Sequence, residues 1–245
     1  MKYRAEITAR EQLSEALAID VFERVYVPME FLNANTFNKR EKYRIIAVPP
    51  VFLGGNEPVI ARELRNLKQA GFESALAHTL GHIKLIKNAG LTPHGGFRLN
   101  ITNSLSLKQY EDSGLTDATF SVEMPLKRMN KIKRNIYTGM MAFGKLPLML
   151  LRRCPVRDGK PCGDSGCNAL TDRLGNKLIT LCRYGEVEIL NPAPLVLGDK
   201  INDITADFCT LRFTNEKIAE VLRLYGQGLP YEGKFTRGLY YKGVR

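Results

Sequence analysis

Four cysteines fall within 29 residues, at Cys154, Cys162, Cys167 and Cys182, in the run LRRCPVRDGKPCGDSGCNALTDRLGNKLITLC. Thiolates are the natural ligands of soft metals and of iron–sulfur clusters. Proline, glycine and aspartate separate these four, so the stretch about 152–183 reads as a Cys-rich loop able to fold round a shared centre. The spacing C-x7-C-x4-C-x14-C is neither that of a zinc ribbon nor that of a ferredoxin. Spacing therefore leaves a [4Fe–4S] cluster and zinc both open. The fifth cysteine, Cys209, sits in the apolar run FCTLRFT and reads as a small packed hydrophobe.

The remaining candidates are polar residues where strands are expected to end. These are His78 and Thr79, then Asn100, Thr102 and Asn103, then Ser121 and Glu123, then Arg212 and Thr214. Asn100, Asn103, Glu123 and Arg212 are the catalytic candidates, although Asn103 also suits the cap of a following helix. His78 and His82 stand four apart, without the HExxH setting of a metalloprotease, and read as ordinary polar or core residues. His94, in TPHGGFRLN, reads as a loop histidine. Lys127, Arg128, Lys131, Lys133 and Arg134 make a short cationic stretch that suits a phosphate backbone or a solvated helix face. No P-loop, GxGxxG or GxSxG is present.

Strand-like runs along the chain would position these groups. They occur at 3–8 (YRAEIT), 24–28 (RVYVP), 43–49 (YRIIAVP), 74–79 (SALAHT), 97–102 (FRLNIT), 118–123 (ATFSVE), 146–151 (LPLMLL) and 208–214 (FCTLRFT). Helical stretches separate several of them. One has Asn56 as cap, Pro58 in its first turn, an apolar stripe of Val59, Ile60, Leu64 and Leu67, and a stop at Gly71. Another follows Thr214 or Asn215 with Ile218, Val221, Leu222 and Tyr225, and should end at Gly226. Leu13 and Leu17 mark a third, whereas FLNANTFNKRE reads as loop. Alternating strand and helix argues for a parallel sheet, and eight units for an α/β (β/α)8 TIM-like barrel, irregular at its second unit and at the Cys-rich insertion. No linker divides the chain, so residues 1–245 are expected to form a single barrel domain.

The bulk figures fit that expectation. The chain is 44% hydrophobic and 25% charged, which is ordinary for a globular protein. No apolar run is long enough to cross a membrane, and the N-terminus lacks the apolar segment of a signal peptide. A cytoplasmic location follows as the expectation, where thiols stay reduced and clustered cysteines favour metal over disulfide. The net charge of +11 suits either a polyanionic partner, RNA or DNA, or a small basic enzyme that binds no nucleic acid.

The run GKLPLMLLRRCPVRDGKPCG, then LTDRLGNKL, then EILNPAPLVLGD resembles the cysteine-bearing region of the peptidase U32 family, the collagenase-like proteases. FTRGLYYKGVR, LRFTNE and LNITNSLSL fit the same resemblance. It implies a (β/α)8 barrel. Some members of that family are peptidases. Others hold a [4Fe–4S] cluster by cysteines and take part in oxygen-independent or prephenate-linked hydroxylation of tRNA, rRNA or a quinone precursor. Carried over, the cluster ligands are Cys154, Cys162, Cys167 and Cys182. Members are usually longer, so this chain resembles the C-terminal half of a large member, with an N-terminal half or partner subunit elsewhere. The cysteine spacing also departs from the family's commonest pattern, in which two cysteines lie close together. Three readings follow. The first is an iron–sulfur RNA-modifying enzyme, the second a collagenase-like peptidase, and the third a metal-stapled domain that binds RNA or a partner without catalysis.

Overall fold

The computed structural model describes residues 1–33, 35–155 and 170–241, so Cys162 and Cys167 lie outside the described residues. In chain order the elements begin β1 (Lys2–Ile7), α1 (Gln12–Ala18), β2 (Phe22–Pro28), α2 (Lys39–Arg44) and β3 (Ile45–Val48). They continue α3 (Glu57–Gln69), β4 (Ser74–Ala77), α4 (Leu80–Asn88), β5 (Thr92–Gly95), α5 (Ser104–Asp112), β6 (Asp117–Thr119), α6 (Leu126–Met129) and β7 (Tyr137–Gly144). The remainder are β8 (Pro147–Leu151), β9 (Leu170–Thr171), β10 (Lys177–Arg183), β11 (Glu186–Leu190), β12 (Leu195–Val196), β13 (Phe208–Phe213) and α7 (Ile218–Gln227).

Strands β1 to β7 and β13 run parallel and close on themselves, β7 pairing with both β6 and β13, and β13 with β1. Closure leaves this sheet no open edge. The helices cover its outside. The protein is thus a (β/α)8, TIM-like barrel, with a four-stranded antiparallel sheet, ordered β8-β11-β10-β9, inserted between β7 and β13.

Alternation along the strands sorts side chains into two cores. On β1, Ala5 and Ile7 point outward into the helix layer with Leu17, Leu64, Ile83 and Val221. Arg4 and Glu6 point inward, the first meeting Tyr26 and the second Arg212. The barrel interior is therefore unusually polar. At its N-terminal end the Arg4 guanidinium meets Asp117 Oδ2 at 2.7 Å, Glu23 Oε1 at 2.8 Å and the Tyr26 hydroxyl at 2.9 Å. It also lies 3.6 Å from the centre of the Phe208 ring. His94 Nδ1 reaches the same Asp117 oxygen at 2.8 Å. Burial alone would raise the Asp117 carboxyl, but His94 and Arg4 outweigh it and hold it at about 2.

Several sequence expectations need correction. The fifth strand is not 97–102 but Thr92–Gly95, and Phe97–Leu99 forms a single 3-10 turn. Its proline, histidine and glycine hide a strand that only the barrel's pairing fixes. The run 146–151 is strand β8 of the inserted sheet, and the seventh barrel strand is Tyr137–Gly144, a stretch without β-branched runs. Gly139 is required there because the Phe208 ring lies where a Cβ would stand. FLNANTFNKRE is loop or turn over 32–33 and 35–38, but its last residues open α2, started by a reciprocal cap between Asn38 and Glu41. The Cys-rich stretch about 152–183 contributes β9 and β10, so Cys182 sits in a strand and not in a loop. The last helix runs past Gly226 and stops at Gly228, in the left-handed region with φ 63°.

Two outcomes test this frame. Breaking a buried ion pair from one side costs about 3–5 kcal/mol, so Asp117→Asn should lower the urea midpoint strongly at pH 7. The depressed carboxyl makes the wild-type advantage complete above about pH 4 and lost as the pH falls toward 2, so the gap between the two proteins should narrow over that range; the shift from 3.8 to about 2 corresponds to roughly 2 kcal/mol. A gap that stays constant with pH would contradict the pairing. Gly139→Ala should cost about 1–3 kcal/mol by overpacking against Phe208, read from the same urea curves.

Candidate active site at the barrel mouth

The inserted sheet roofs the C-terminal end of the barrel, where enzymes of this architecture place their chemistry. The roof docks through the β10–β11 hairpin. Arg183 pairs with Glu186, leaving Tyr184 and Gly185 as a two-residue turn with φ values of 49° and 75°. Positive φ at both positions is the type I′ geometry, which matches the twist of the strands. Tyrosine rarely takes that conformation, and here its hydroxyl accepts a hydrogen bond from the Glu30 backbone N–H at 2.6 Å.

Every second residue of this hairpin reaches the barrel. Arg183 donates to the Thr8 carbonyl and lies 3.5 Å from Glu30. Glu186 accepts from the backbone N–H groups of Val51, at 2.9 Å, and Phe52. Glu188 is buried between two arginines, taking Arg98 on one carboxylate oxygen and Arg212 on the other, the latter at 2.5 Å. Arg212, from β13, also stands 3.0 Å from Glu6 of β1. Arg98 belongs to the turn after β5, and its guanidinium lies beside the ring of Phe97.

The cavity between barrel and roof is small, about 70 Å³, with Pro28, Pro50, His78 and Phe97 below and Leu150, Leu181 and Tyr184 above. Its charged lining balances Arg98, Arg183 and Arg212 against Glu6, Glu186 and Glu188. Burial would raise the Glu188 carboxyl, but Arg212 and Arg98 hold it below the usual carboxylate range. Glu186 is raised by burial, partly offset by the two N–H groups. His78 is pushed well below its ordinary value by burial and by His82, Arg98 and Arg212, so its ring is neutral at pH 7. Its Nδ1 has no hydrogen-bond partner among the described residues.

The candidates chosen from sequence divide sharply. Arg212 lies at the centre of the mouth. Asn103 caps α5, accepting from the Ser106 N–H at 2.8 Å. Asn100 takes the left-handed conformation, φ 53°, and accepts from the Ser121 hydroxyl. Glu123 is exposed outside the cavity lining, and its N–H donates to that same hydroxyl. Thr79 and His82 bond each other, and the second nitrogen of His82 reaches the Pro50 carbonyl at 2.9 Å. His94 belongs to β5 and the opposite end of the barrel. Lys127, Arg128, Lys131 and Lys133 are exposed around α6, whereas Arg134 is bound to Thr138 and to the Thr205 carbonyl. Arg98, Arg183, Glu186 and Glu188 were not singled out from sequence. The alternation R-Y-G-E-V-E around a glycine turn could have flagged the last three, and nothing local marks Arg98.

Cys154 follows β8 and Cys182 sits in β10. Because Leu181 and Arg183 line the cavity, Cys182 faces the other side of the roof, level with Val187 and Leu151 across the sheet. Both cysteines are at the end of the sheet that carries the Tyr184–Gly185 turn. Among the described residues no three groups form a metal site, and two of the four cysteines lie outside them. No described helix is long and apolar enough to cross a membrane.

Comparison with known proteins places this architecture. No protein-family model and no curated protein sequence matches the chain. The solved structure of the U32 peptidase Mk0906 does match in three dimensions, with a TM-score of 0.51 over 88% of this chain and 94% of that one, at 10% sequence identity. This chain therefore has the fold of a U32 peptidase.

The chain has only three histidines, which makes the electrostatics directly readable. In an NMR titration the ring signals of His78 and His82 should stay put through pH 6.5, where an unperturbed histidine is half protonated. Movement of the His78 signal at that pH would show that burial and the arginines do not govern the mouth.

Proposed function

We propose that the chain is a U32-type enzyme that acts at the barrel mouth, uses a centre held by Cys154, Cys162, Cys167 and Cys182, and modifies RNA. One observation carries this reading. The inserted sheet that roofs the polar mouth also bears Cys154 and Cys182. An all-thiol donor set suits a [4Fe–4S] cluster, with zinc as the alternative. Bound there, a cluster would supply electron transfer at a potential set by burial and hydrogen bonding.

The protein's own groups would do the rest. Arg98 and Arg212 hold negative charge at the cavity wall. The neutral His78 ring offers a hydrogen bond without adding charge. Glu186, raised by burial, is the carboxylate best suited to carry a proton. Lys127, Arg128, Lys131 and Lys133 would track a phosphate backbone outside the mouth.

The peptidase reading has less behind it. Among the described residues lining the cavity there is no serine, threonine or cysteine, and the one hydroxyl, that of Tyr184, accepts from the Glu30 N–H. Protein purified without oxygen should contain iron and sulfide in equal amounts and lose both in Cys182→Ser. Zinc without sulfide would remove the cluster. Cleavage of gelatin that survives chelation would establish the peptidase instead.

A further inference from the structure

The two carboxylates of the roof hairpin sit two residues apart on one face, and each fills an anion receptor built by the barrel. Glu186 takes successive backbone N–H groups, Val51 and Phe52, an arrangement that binds anions generally. Glu188 takes Arg98 and Arg212, one oxygen to each. Paired guanidinium groups recognise planar or tetrahedral oxyanions in this fashion. The receptors belong to the barrel and the carboxylates to the inserted sheet. Among the described residues, removal of Glu188 would leave Arg98 without an ion-pair partner and Arg212 with Glu6, while Glu186 and Glu216 act on them only from further away. The space left beside the pair, about 70 Å³, is too small for most metabolites while the hairpin is seated.

We propose that Glu188 is an internal substitute for the oxyanion of a small substrate or cosubstrate, a carboxylate or phosphate that displaces it from Arg98 and Arg212 and so unseats the roof. The mouth then has two states, one latched by the protein's own carboxylate and one held open by the ligand's. The proposal rests on the mouth being the working site. It does not depend on the cysteine-held centre or on RNA.

Calorimetry with succinate and with inorganic phosphate tests it, on the full chain. Wild type must expel Glu188 before it binds, so its apparent affinity is reduced by the rarity of the unlatched state. Glu188→Gln removes the competing charge at nearly constant volume and should bind about tenfold tighter or more. Adding Arg98→Met to that variant should abolish the gain. A gain for succinate alone assigns a carboxylate ligand and a gain for phosphate alone a phosphoryl group; either supports the exchange. Equal affinity of wild type and Glu188→Gln for both probes, or a gain that survives Arg98→Met, overturns it. Should Glu188→Gln fail to fold, hydrogen exchange of the wild-type chain decides. Exchange across residues 183–190 rises with either probe if Glu188 is displaced, and unchanged exchange with both overturns the proposal. An active, iron-containing enzyme with no such exchange removes this inference and leaves the proposed function. Oxyanion exchange in a chain without iron does the reverse.

Discussion

A carboxylate buried between two arginines joins the two bodies of this protein. Glu188 belongs to the inserted sheet, while Arg98 and Arg212 belong to the barrel. Desolvating three charges costs several kcal/mol for each, and apolar residues of similar volume commonly hold two surfaces together as well or better. The cost is recovered only while every charge keeps its partner. The sheet is therefore either fully seated or displaced from the pair as a unit, because a half-withdrawn Glu188 would leave Arg98 and Arg212 uncompensated. Docking by charge makes the joint conditional in a way that apolar docking would not.

The same logic runs down the barrel axis. A typical barrel of this class fills its interior with branched aliphatic layers. Here Ile46 and Leu76 form only a thin apolar layer with Tyr26. Above it stand Glu6, His78 and Arg212, and below it Arg4, His94 and Asp117. The two polar ends differ in which elements supply their partners. Below, Arg4 is saturated by Asp117, Glu23, Tyr26 and the face of Phe208, and the network has the character of a plug. Above, Arg98 and Arg212 share Glu188 of the roof, and Arg212 also meets Glu6 and the Lys145 carbonyl of the barrel. Each end keeps buried polar atoms without a partner among the described residues, His94 Nε2 and Asp117 Oδ1 below and His78 Nδ1 above.

The legible parts of the sequence were those in which local pattern and tertiary role agree. Strands β1, β2, β4 and β13 show the expected apolar runs, and α3 has Pro58 in its first turn and buries Ile60, Leu64 and Leu67, although Val59 is exposed and the Asn56 side chain makes no cap bond. The fifth and seventh barrel strands were hidden because closure overrides propensity. Thr92–Gly95 is a strand through its neighbours β4 and β6, and Tyr137–Gly144 needs Gly139 to admit Phe208. Arg212 could be placed near the mouth because it stands at the end of an evident strand. Arg98, Glu186 and Glu188 could not, since their meaning arises only when residues some 90 positions apart are brought together. The motifs behind the family resemblance are partly packing devices. Asp199 of LVLGD pairs with Arg237 of FTRG, and Tyr240 of the same tail donates to the Met141 carbonyl at 2.7 Å. Such motifs carry the fold more directly than the reaction.

The roof itself links the two candidate chemistries. Its inner face presents Leu181, Arg183, Glu186 and Glu188 to the cavity, and its outer face carries Cys182 beside Val187. Strand pairing fixes these faces to one another, since Leu181 stands opposite Glu188 and Cys182 opposite Val187. A one-residue slip of β10 would exchange its faces and turn Cys182 toward the cavity in place of Leu181 or Arg183. Any centre that fixes Cys154 and Cys182 therefore also fixes the register on which Glu188 depends. Its loss would act on the mouth mechanically, through the sheet, before any electron is considered.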